Sequence, residues 1–200
     1  MHLYMYILHI YKIIRMKIVI GITGASGVIY ADILLRALHT FNAQLSEVAV
    51  VFSESAKLVW KHEQKNKPEL YTFRSFENSD LTAPTASGSA GYDAMVICPC
   101  SMGTLARVSH GISDTLITRS ADVMLKERKK LILVVRETPY NLIHIKNMET
   151  LTQAGGIICA ASPSFYSQPK TIEEVCETVI FRVLSLLGIN HTGYVWGSNT

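Results

Sequence analysis

The segment at 18–27 constrains the fold more than any other part of the chain. It reads Ile-Val-Ile-Gly-Ile-Thr-Gly-Ala-Ser-Gly, so a run rich in β-branched residues leads into Gly21, Gly24 and Gly27, and an amphipathic segment follows. Glycines let backbone N–H groups approach a ligand closely, and a helix N-terminus adds partial positive charge. We expect Ser26 to offer its hydroxyl to the same anion and to cap the helix. The pattern predicts a strand, a turn and a helix that hold a phosphate-bearing ligand.

The spacing of these glycines departs from the dinucleotide fingerprint. That fingerprint is Gly-x-Gly-x-x-Gly with an acidic residue about 20 positions further on, whereas here the second expected strand ends in Ser53-Glu54. The loop therefore favours a phosphate at a strand–helix turn over a nicotinamide dinucleotide. On the loop alone, a tight turn without any ligand is the alternative.

Strand-like and helix-like segments alternate along the chain, as in a parallel sheet with helices on both faces. The expected strands are 17–23, 47–52, 93–98, 131–135 and 156–160, and the expected helices are 26–40, 54–63, 114–127, 140–153 and 171–187. The polar stretch at 64–90 is expected to be a long loop with a short strand at 71–73. Because no repeat or linker divides the chain, we predict one domain at 16–200 with a Rossmann-like (flavodoxin-like) three-layer α/β fold.

The composition argues against several classes of function. A net charge of +3 gives no electrostatic reason to expect nucleic acid as a partner. Four cysteines without a Cys-x-x-Cys pair indicate reduced thiols in the cytoplasm, and seven histidines without a metal-ligand spacing indicate no metal site. The hydrophobic fraction of 48% and the mean hydropathy of +0.22 favour burial of surface between identical subunits.

Residues 1–15 differ from the rest of the chain. His2, His9, Lys12 and Arg15 interrupt the apolar runs of this segment, so each run is too short to span a membrane. The segment is also not followed by a secretory cleavage site. We interpret these residues as an N-terminal extension that arises from the choice of translation start, with Met16 as the alternative start. A helix added to pack on a neighbouring subunit is the competing interpretation.

Polar segments follow the ends of the expected strands, which is where open parallel sheets bind ligands. Several of them, with two segments from elsewhere, form an ordered set of motifs: Gly-Ile-Thr-Gly-Ala-Ser-Gly at 21–27, Ala-Ser-Gly-Ser at 86–89, Ile-Cys-Pro-Cys-Ser-Met-Gly-Thr at 97–104, Thr-Arg-Ser-Ala-Asp-Val-Met-Leu-Lys-Glu-Arg at 118–128, Val-Arg-Glu-Thr-Pro at 135–139 and Pro-Ser-Phe-Tyr-Ser-Gln-Pro at 163–169. With these motifs the chain resembles, from residue 16 to its C-terminus, the UbiX-type flavin prenyltransferases among the flavin-binding decarboxylase-like proteins.

The resemblance implies a flavoprotein enzyme that uses no metal. It would bind reduced FMN and dimethylallyl monophosphate, and join the prenyl group to flavin N5 and C6 to form a fourth ring. The product, prenylated FMN, would serve a separate UbiD-like decarboxylase. Members of this family commonly assemble as dodecamers with sites between subunits, so we expect a homo-oligomer, with no nucleic acid or membrane as partner.

Carried onto this sequence, the resemblance assigns FMN contacts to the polar ends of several strands. The assigned residues are Gly24, Ala25, Ser26, Ser53, Ser101, Met102, Gly103, Thr104 and Arg136. For the segment at 101–104 alone, the alternative is a simple cap of the helix that follows. An aromatic residue often lies near the flavin in this family, and Leu81 stands at that position here.

Loss of a phosphate leaving group without a metal requires cations around it. The resemblance assigns this role to Arg119, Lys126 and Arg182, with Tyr166 donating a hydroxyl. Arg119 and Lys126 are seven residues apart and so share one face of a helix. Each residue also has a purely structural interpretation. Arg119 and Lys126 could lie on a solvent-exposed helix face, the aliphatic part of Arg182 could cover the core, and Tyr166 could be a core aromatic residue.

Formation of the second carbon bond releases a proton from flavin C6, which calls for a carboxylate. Glu137 is the first candidate, with Ser26 as a relay. Glu63 is the second carboxylate, and the resemblance places it near flavin N5 of an adjacent subunit. By composition alone, either glutamate could be an ordinary surface residue.

Two other functions compete with prenyl transfer. FMN-dependent cysteine decarboxylases typically carry Pro-Ala-Ser-Ala-Asn-Thr where this chain has Pro-Cys-Ser-Met-Gly-Thr at 99–104, and a histidine where Tyr30 and Ala31 stand. A non-catalytic FMN carrier is the second competitor. It would need neither the pair of glutamates nor the set of cations.

Overall fold

The computed structural model describes residues 15–64, 66–195 and 197 of the 200-residue chain. Apart from Arg15, the N-terminal extension at 1–15 lies outside the described residues, and its interpretation stays a prediction. The strands of the described chain are β1 (Met16–Ile22), β2 (Leu45–Phe52), β3 (Arg74–Glu77), β4 (Ala94–Cys100), β5 (Lys130–Val135) and β6 (Ile157–Ala160). They form one parallel six-stranded sheet in the order β3-β2-β1-β4-β5-β6.

Helices cover both faces of this sheet. They are α1 (Val28–Thr40), α2 (Glu54–Glu63), α3 (Met102–Ser109), α4 (Leu116–Lys126), α5 (Leu142–Gln153) and α6 (Ile172–Leu187). Successive residues of a strand point to opposite faces. Accordingly, Ile18 and Ile20 of β1 are buried against α1, α2 and α6, whereas Val19 is buried with residues of α3, α4 and α5. The predicted three-layer α/β fold is confirmed.

The strand order reverses between β1 and β4, where the chain changes the side of the sheet on which it adds strands. From β1 the chain continues to β2 and β3 on one side, and from β4 to β5 and β6 on the other. This is the order of the doubly wound Rossmann arrangement, in which ligands bind in the crevice outside the carboxyl ends of the strands at the reversal point. The fold therefore predicts a ligand site at the residues that follow β1 and β4.

Three local expectations differ from the structure. Helix α1 begins at Val28 instead of residue 26, because Gly27 takes a left-handed conformation with a φ of 100°. The strand expected at 71–73 lies three residues later, at Arg74–Glu77. Helix α3 is absent from the expected helices, although the alternative interpretation of 101–104 as a cap implied a helix after it. It buries Met102, Leu105 and Val108 at helical spacing and is capped by Ser101. Among the described helices, none is long and apolar enough to cross a bilayer.

Candidate functional site

A cleft of about 330 Å³ lies at the carboxyl end of the sheet, beside the reversal point. Three helices begin at its wall, capped by Ser53 for α2, Ser101 for α3 and Thr115 for α4. The three hydroxyls accept hydrogen bonds from Ala56 N at 3.1 Å, Thr104 N at 3.3 Å and Thr118 N at 3.4 Å, respectively. Because the first N–H groups of a helix carry partial positive charge, the three N-termini make this cleft attractive to an anion.

Thr23 joins the two strands at the reversal point. Its buried hydroxyl donates to the carbonyl of Pro99 at 2.8 Å and accepts from the N–H of Ser101 at 2.8 Å. The backbone N–H of Thr23 also donates to Pro99 O, at 3.2 Å. The first residue after β1 therefore fixes the start of α3, which forms one wall of the cleft.

Gly24 lets the loop after β1 approach the first turn of α2. A Cβ atom at position 24 would overlap the Cβ of Ser55 and lie 3.3 Å from the Ser55 carbonyl carbon. Both residues line the cleft. The glycine is thus needed for a close approach between two cleft walls.

The N-terminus of α1 is occupied by a carboxylate of the same chain. Glu63, the last residue of α2, accepts hydrogen bonds from Gly27 N at 2.9 Å and Val28 N at 3.0 Å. Ser26 also hydrogen-bonds to this carboxylate. The expectation that Ser26 caps α1 is therefore wrong. The N-cap residue of α1 is Gly27, which has no side chain to make a capping hydrogen bond.

The electrostatics keep Glu63 ionised. Partial burial alone would raise the pKa of Glu63, but the hydrogen bonds from Ser26, Gly27 and Val28 and the charge of Arg136 together lower it. Arg136 follows β5, and its Cγ would lie 3.9 Å from a Cβ at position 27. The structure thus brings Ser26, Glu63 and Arg136 together at the start of α1.

A second pocket, of about 380 Å³, lies between the end of β6 and helix α6. Tyr166 and Arg182 line it together with Cys159 and several hydroxyl-bearing residues. Burial raises the pKa of the Cys159 thiol, and the nearby charge of Arg182 partly offsets this effect. Two of the four residues predicted to hold the leaving group therefore share one pocket.

The other two, Arg119 and Lys126, lie on α4, across the sheet from α6. Arg119 donates to Ala86 O at 3.1 Å and forms an ion pair with Asp122 at 2.7 Å. Lys126 pairs with Glu127 at 2.5 Å. Within a single chain, the structure does not bring this pair together with Tyr166 and Arg182.

The remaining predicted site residues occupy varied environments. Glu137 is exposed, and its carboxylate accepts from Thr138 N at 2.9 Å. Gly24, Ser53, Ser101 and Thr104 line the cleft. Ala25 is buried, and the Met102 side chain packs into the core, so from Met102 only backbone groups are available to a ligand. Leu81 is 48% exposed.

Sequence reasoning missed several residues that line the cleft: Thr23, Asn78, Arg107, Thr115 and Thr118. Thr115 and Thr118 form a capping box at the start of α4. The pattern Thr-x-x-Thr before an apolar run could have indicated this helix start from the sequence. Asn78 follows β3 and accepts from Ile117 N through its side chain at 3.0 Å. Within the part of the chain that the structure describes, no group of three or more His, Cys, Asp or Glu could hold a metal ion.

Known proteins resemble this chain over most of its length. The flavoprotein family model matches residues 9–184. The flavin prenyltransferase UbiX of Methanocaldococcus jannaschii is 42% identical over 192 residues, covering 92% of this chain and 100% of the relative.

Two crystal structures share the fold closely. One is AnUbiX (PadA1) in complex with FMN and dimethylallyl pyrophosphate, with a TM-score of 0.82 and 37% identity over 91% of this chain and 99% of the other. The second is a dodecameric FMN-dependent UbiX-like decarboxylase from Escherichia coli O157:H7, with a TM-score of 0.85 and 37% identity over 92% of this chain and 100% of the other. The chain belongs to the flavoprotein family and, within it, to the UbiX flavin prenyltransferases.

Proposed function

We propose that this enzyme transfers the dimethylallyl group of dimethylallyl monophosphate to N5 and C6 of reduced FMN, and that the prenylated FMN serves a UbiD-like decarboxylase. The observation that carries the proposal is the cleft at the reversal point, where three helix N-termini and several hydroxyls converge. It occurs in a chain that is 42% identical to a flavin prenyltransferase.

The donor set of the cleft fits the phosphate of FMN. Ser53, Ser101 and Thr104 offer hydroxyls there, and the helix N-termini offer N–H groups. The start of α1, by contrast, already holds the Glu63 carboxylate. We therefore assign the FMN phosphate to the cleft. Reduced FMN, when bound, supplies two nucleophilic positions, N5 and C6.

The cations of the chain stabilise the departing phosphate. Arg182 and Tyr166 supply one half of this site, and Arg119 and Lys126 the other half from across the sheet. Because one chain cannot bring the halves together, a second copy completes the site. The relative from Escherichia coli is a dodecamer, and we propose the same assembly here. Leu142 and Ile143 at the start of α5 are more than two-thirds exposed, as expected of a surface that a partner covers.

The two glutamates have different roles: Glu137 accepts a proton, and Glu63 orients the hydroxyl that relays it. Closing the fourth ring breaks the C6–H bond and the prenyl double bond, so a proton is added to the alkene carbon that does not bond to C6 and another leaves C6. Glu137 accepts the proton from C6, with the hydroxyl of Ser26 as relay. Glu63 is held ionised at the start of α1, beside Arg136. There it orients Ser26, which hydrogen-bonds to its carboxylate.

The experiment that tests this proposal is anaerobic incubation of the purified oligomer with FMN, dithionite and dimethylallyl monophosphate, with mass spectrometry of the released flavin. We expect a mass increase of one prenyl unit, unchanged by EDTA. Glu137→Gln should bind FMN but lose product formation. Glu149→Gln, which removes a surface carboxylate paired with Lys146 at 2.8 Å, is the matched control and should retain it.

Three outcomes would contradict the proposal or part of it. Unmodified FMN with both the monophosphate and the pyrophosphate donor would favour a carrier. Release of carbon dioxide from phosphopantothenoylcysteine would favour a cysteine decarboxylase. Product formation by Glu137→Gln at the wild-type rate would remove Glu137 from the mechanism.

A further inference from the structure

The anion-attracting cleft contains one basic side chain. Among the described residues that line it, Arg107 of α3 is positively charged, and Glu54 and Asp114 are negatively charged. Lys57 forms ion pairs with Glu54 at 2.8 Å and with Glu77 at 3.0 Å. Among these lining residues, Arg107 is therefore the side chain that can attract an anion, and Asp114 is the carboxylate paired with it.

Arg107 is weakly held where it stands. Its Nε lies 3.7 Å from Asp114 Oδ2, and the two side chains are 51% and 56% exposed. Ion pairs of this kind contribute little to stability because water screens them. The Nη1 group also donates to Gly103 O at 3.3 Å. Arg107 can therefore exchange these partners for a doubly charged phosphate at little cost.

Gly103 leaves room for this guanidinium beside the first turn of α3. A Cβ at position 103 would lie 3.6 Å from Arg107 Nη1, at van der Waals distance. A longer side chain at position 103 would have to share this space with the guanidinium. The guanidinium can therefore reach back along the helix towards Thr104, whose hydroxyl is at the cleft.

We infer that Arg107 pairs with the terminal phosphate of the flavin and makes this cleft select FMN over riboflavin, with Asp114 as the competing partner that the phosphate displaces. The inference rests on the proposed binding of FMN in the cleft. It adds an ionic contact to the helix N-termini and hydroxyls, which would otherwise hold the phosphate alone.

The test measures the dissociation constants of FMN and riboflavin for the purified oligomer from the quenching of flavin fluorescence. In Arg107→Gln we expect the Kd for FMN to rise about tenfold, which corresponds to about 1.4 kcal/mol, while the Kd for riboflavin stays unchanged. Arg107→Lys should keep part of the FMN affinity, because it retains the charge without the planar fork. Asp114→Asn should bind FMN more tightly than the wild type.

Controls separate this inference from changes in folding and from the proposed function. Lys146→Gln removes a cation from α5 and should leave both constants unchanged, and thermal unfolding reports whether each variant folds. Where riboflavin binds too weakly to titrate, the test is how the Kd for FMN depends on ionic strength. This dependence should be shallower in Arg107→Gln than in the wild type, because the variant lacks an ionic contact to the phosphate.

Equal FMN binding by wild type and Arg107→Gln, or equal losses for FMN and riboflavin, would overturn the role of Arg107. A wild-type protein that does not bind FMN at all would instead overturn the proposed function.

Discussion

The hydroxyl of Thr23 links β1 to β4 at the point on which the cleft depends. Replacing it with the isosteric Thr23→Val leaves the partly buried N–H of Ser101 without its acceptor, whereas Pro99 O keeps the bond from Thr23 N. We expect a loss of about 1–3 kcal/mol in the free energy of unfolding, measured by urea denaturation. Thr23→Ser keeps the hydroxyl and should recover most of the loss. Equal stabilities of the valine variant and the wild type would contradict this prediction.

The carboxylate of Glu63 gives stability a dependence on pH. Its folded-state pKa is lowered, so its stabilising contribution is present above the unfolded pKa of about 4.3 and is lost as the pH falls through the folded value. At pH 7 we expect Glu63→Gln to be less stable by about 1 kcal/mol, the usual scale for a lost cap of a helix.

Denaturation curves of the two proteins at neutral and at acidic pH measure this difference. The gap should close below the folded-state pKa of Glu63, where the wild-type carboxyl is also neutral. A gap that persists unchanged in acid would show that Glu63 contributes through packing instead of charge.

At the residue scale, the sequence motifs predicted which polar residues lie at the edge of the sheet, but they did not predict the contacts between those residues. Ser53, Ser101 and Thr104 follow strands that could be located from hydrophobic runs, so their place at the edge of the sheet was predictable. The contacts of Thr23 and Arg107 were not, because they depend on the distance between two strands and on the space beside Gly103. Spacing in a sequence does not contain that information.

At the scale of elements, the central strands and the long helices were predicted well, and short elements poorly. Five of the six strands were located to within two residues, because each is largely a continuous apolar run. Four of these five are interior strands of the sheet, and β6 is a half-buried edge strand. The exposed edge strand β3 has a burial pattern of exposed and half-buried residues, so hydrophobicity could not place it. Helix α3 has only eight residues, too few for its periodicity to stand out.

The contact between the loop after β1 and the start of α2 makes a prediction about packing of elements. Gly24→Ala forces the two apart, because the new Cβ would overlap that of Ser55. We expect a loss of about 1–3 kcal/mol in the free energy of unfolding and weaker FMN binding.

A double-mutant cycle with Ser55→Gly tests the cause of that loss. Removing the Ser55 Cβ should reduce the cost of Gly24→Ala, giving a coupling energy of about 0.5–3 kcal/mol. Additive effects of the two substitutions would show that the overlap is not responsible. Urea denaturation of the four proteins provides the measurement.

At the scale of the whole molecule, the cations predicted to hold the leaving group lie on opposite faces of one sheet. Tyr166 and Arg182 line a pocket beside α6, and Arg119 and Lys126 project from α4. Their separation was not predictable from the spacing of Arg119 and Lys126 along the helix, since it follows from the topology of the sheet. Under the proposed function, a complete site therefore takes residues from two chains.

This separation predicts complementation between inactive variants. Arg119→Gln and Arg182→Gln should each be inactive alone. Dissociated, mixed in equal amounts and reassembled, they should recover up to about a quarter of the wild-type rate of prenyl transfer, since in that fraction of sites both halves are intact. Mixed oligomers without activity would place all four residues in a site within one chain. Mass spectrometry of the flavin product measures the rate.

The carboxylate at the start of α1 also makes that helix indifferent to small anions in solution. Glu63 is fixed by two backbone N–H groups and belongs to the same chain, so it is present there at an effective concentration of about millimolar or above. Sulfate, chloride or free phosphate would have to displace the Glu63 carboxylate in order to bind there. The start of α1 is thus occupied from within the chain, and dissolved anions compete instead for the cleft that the other helix N-termini line.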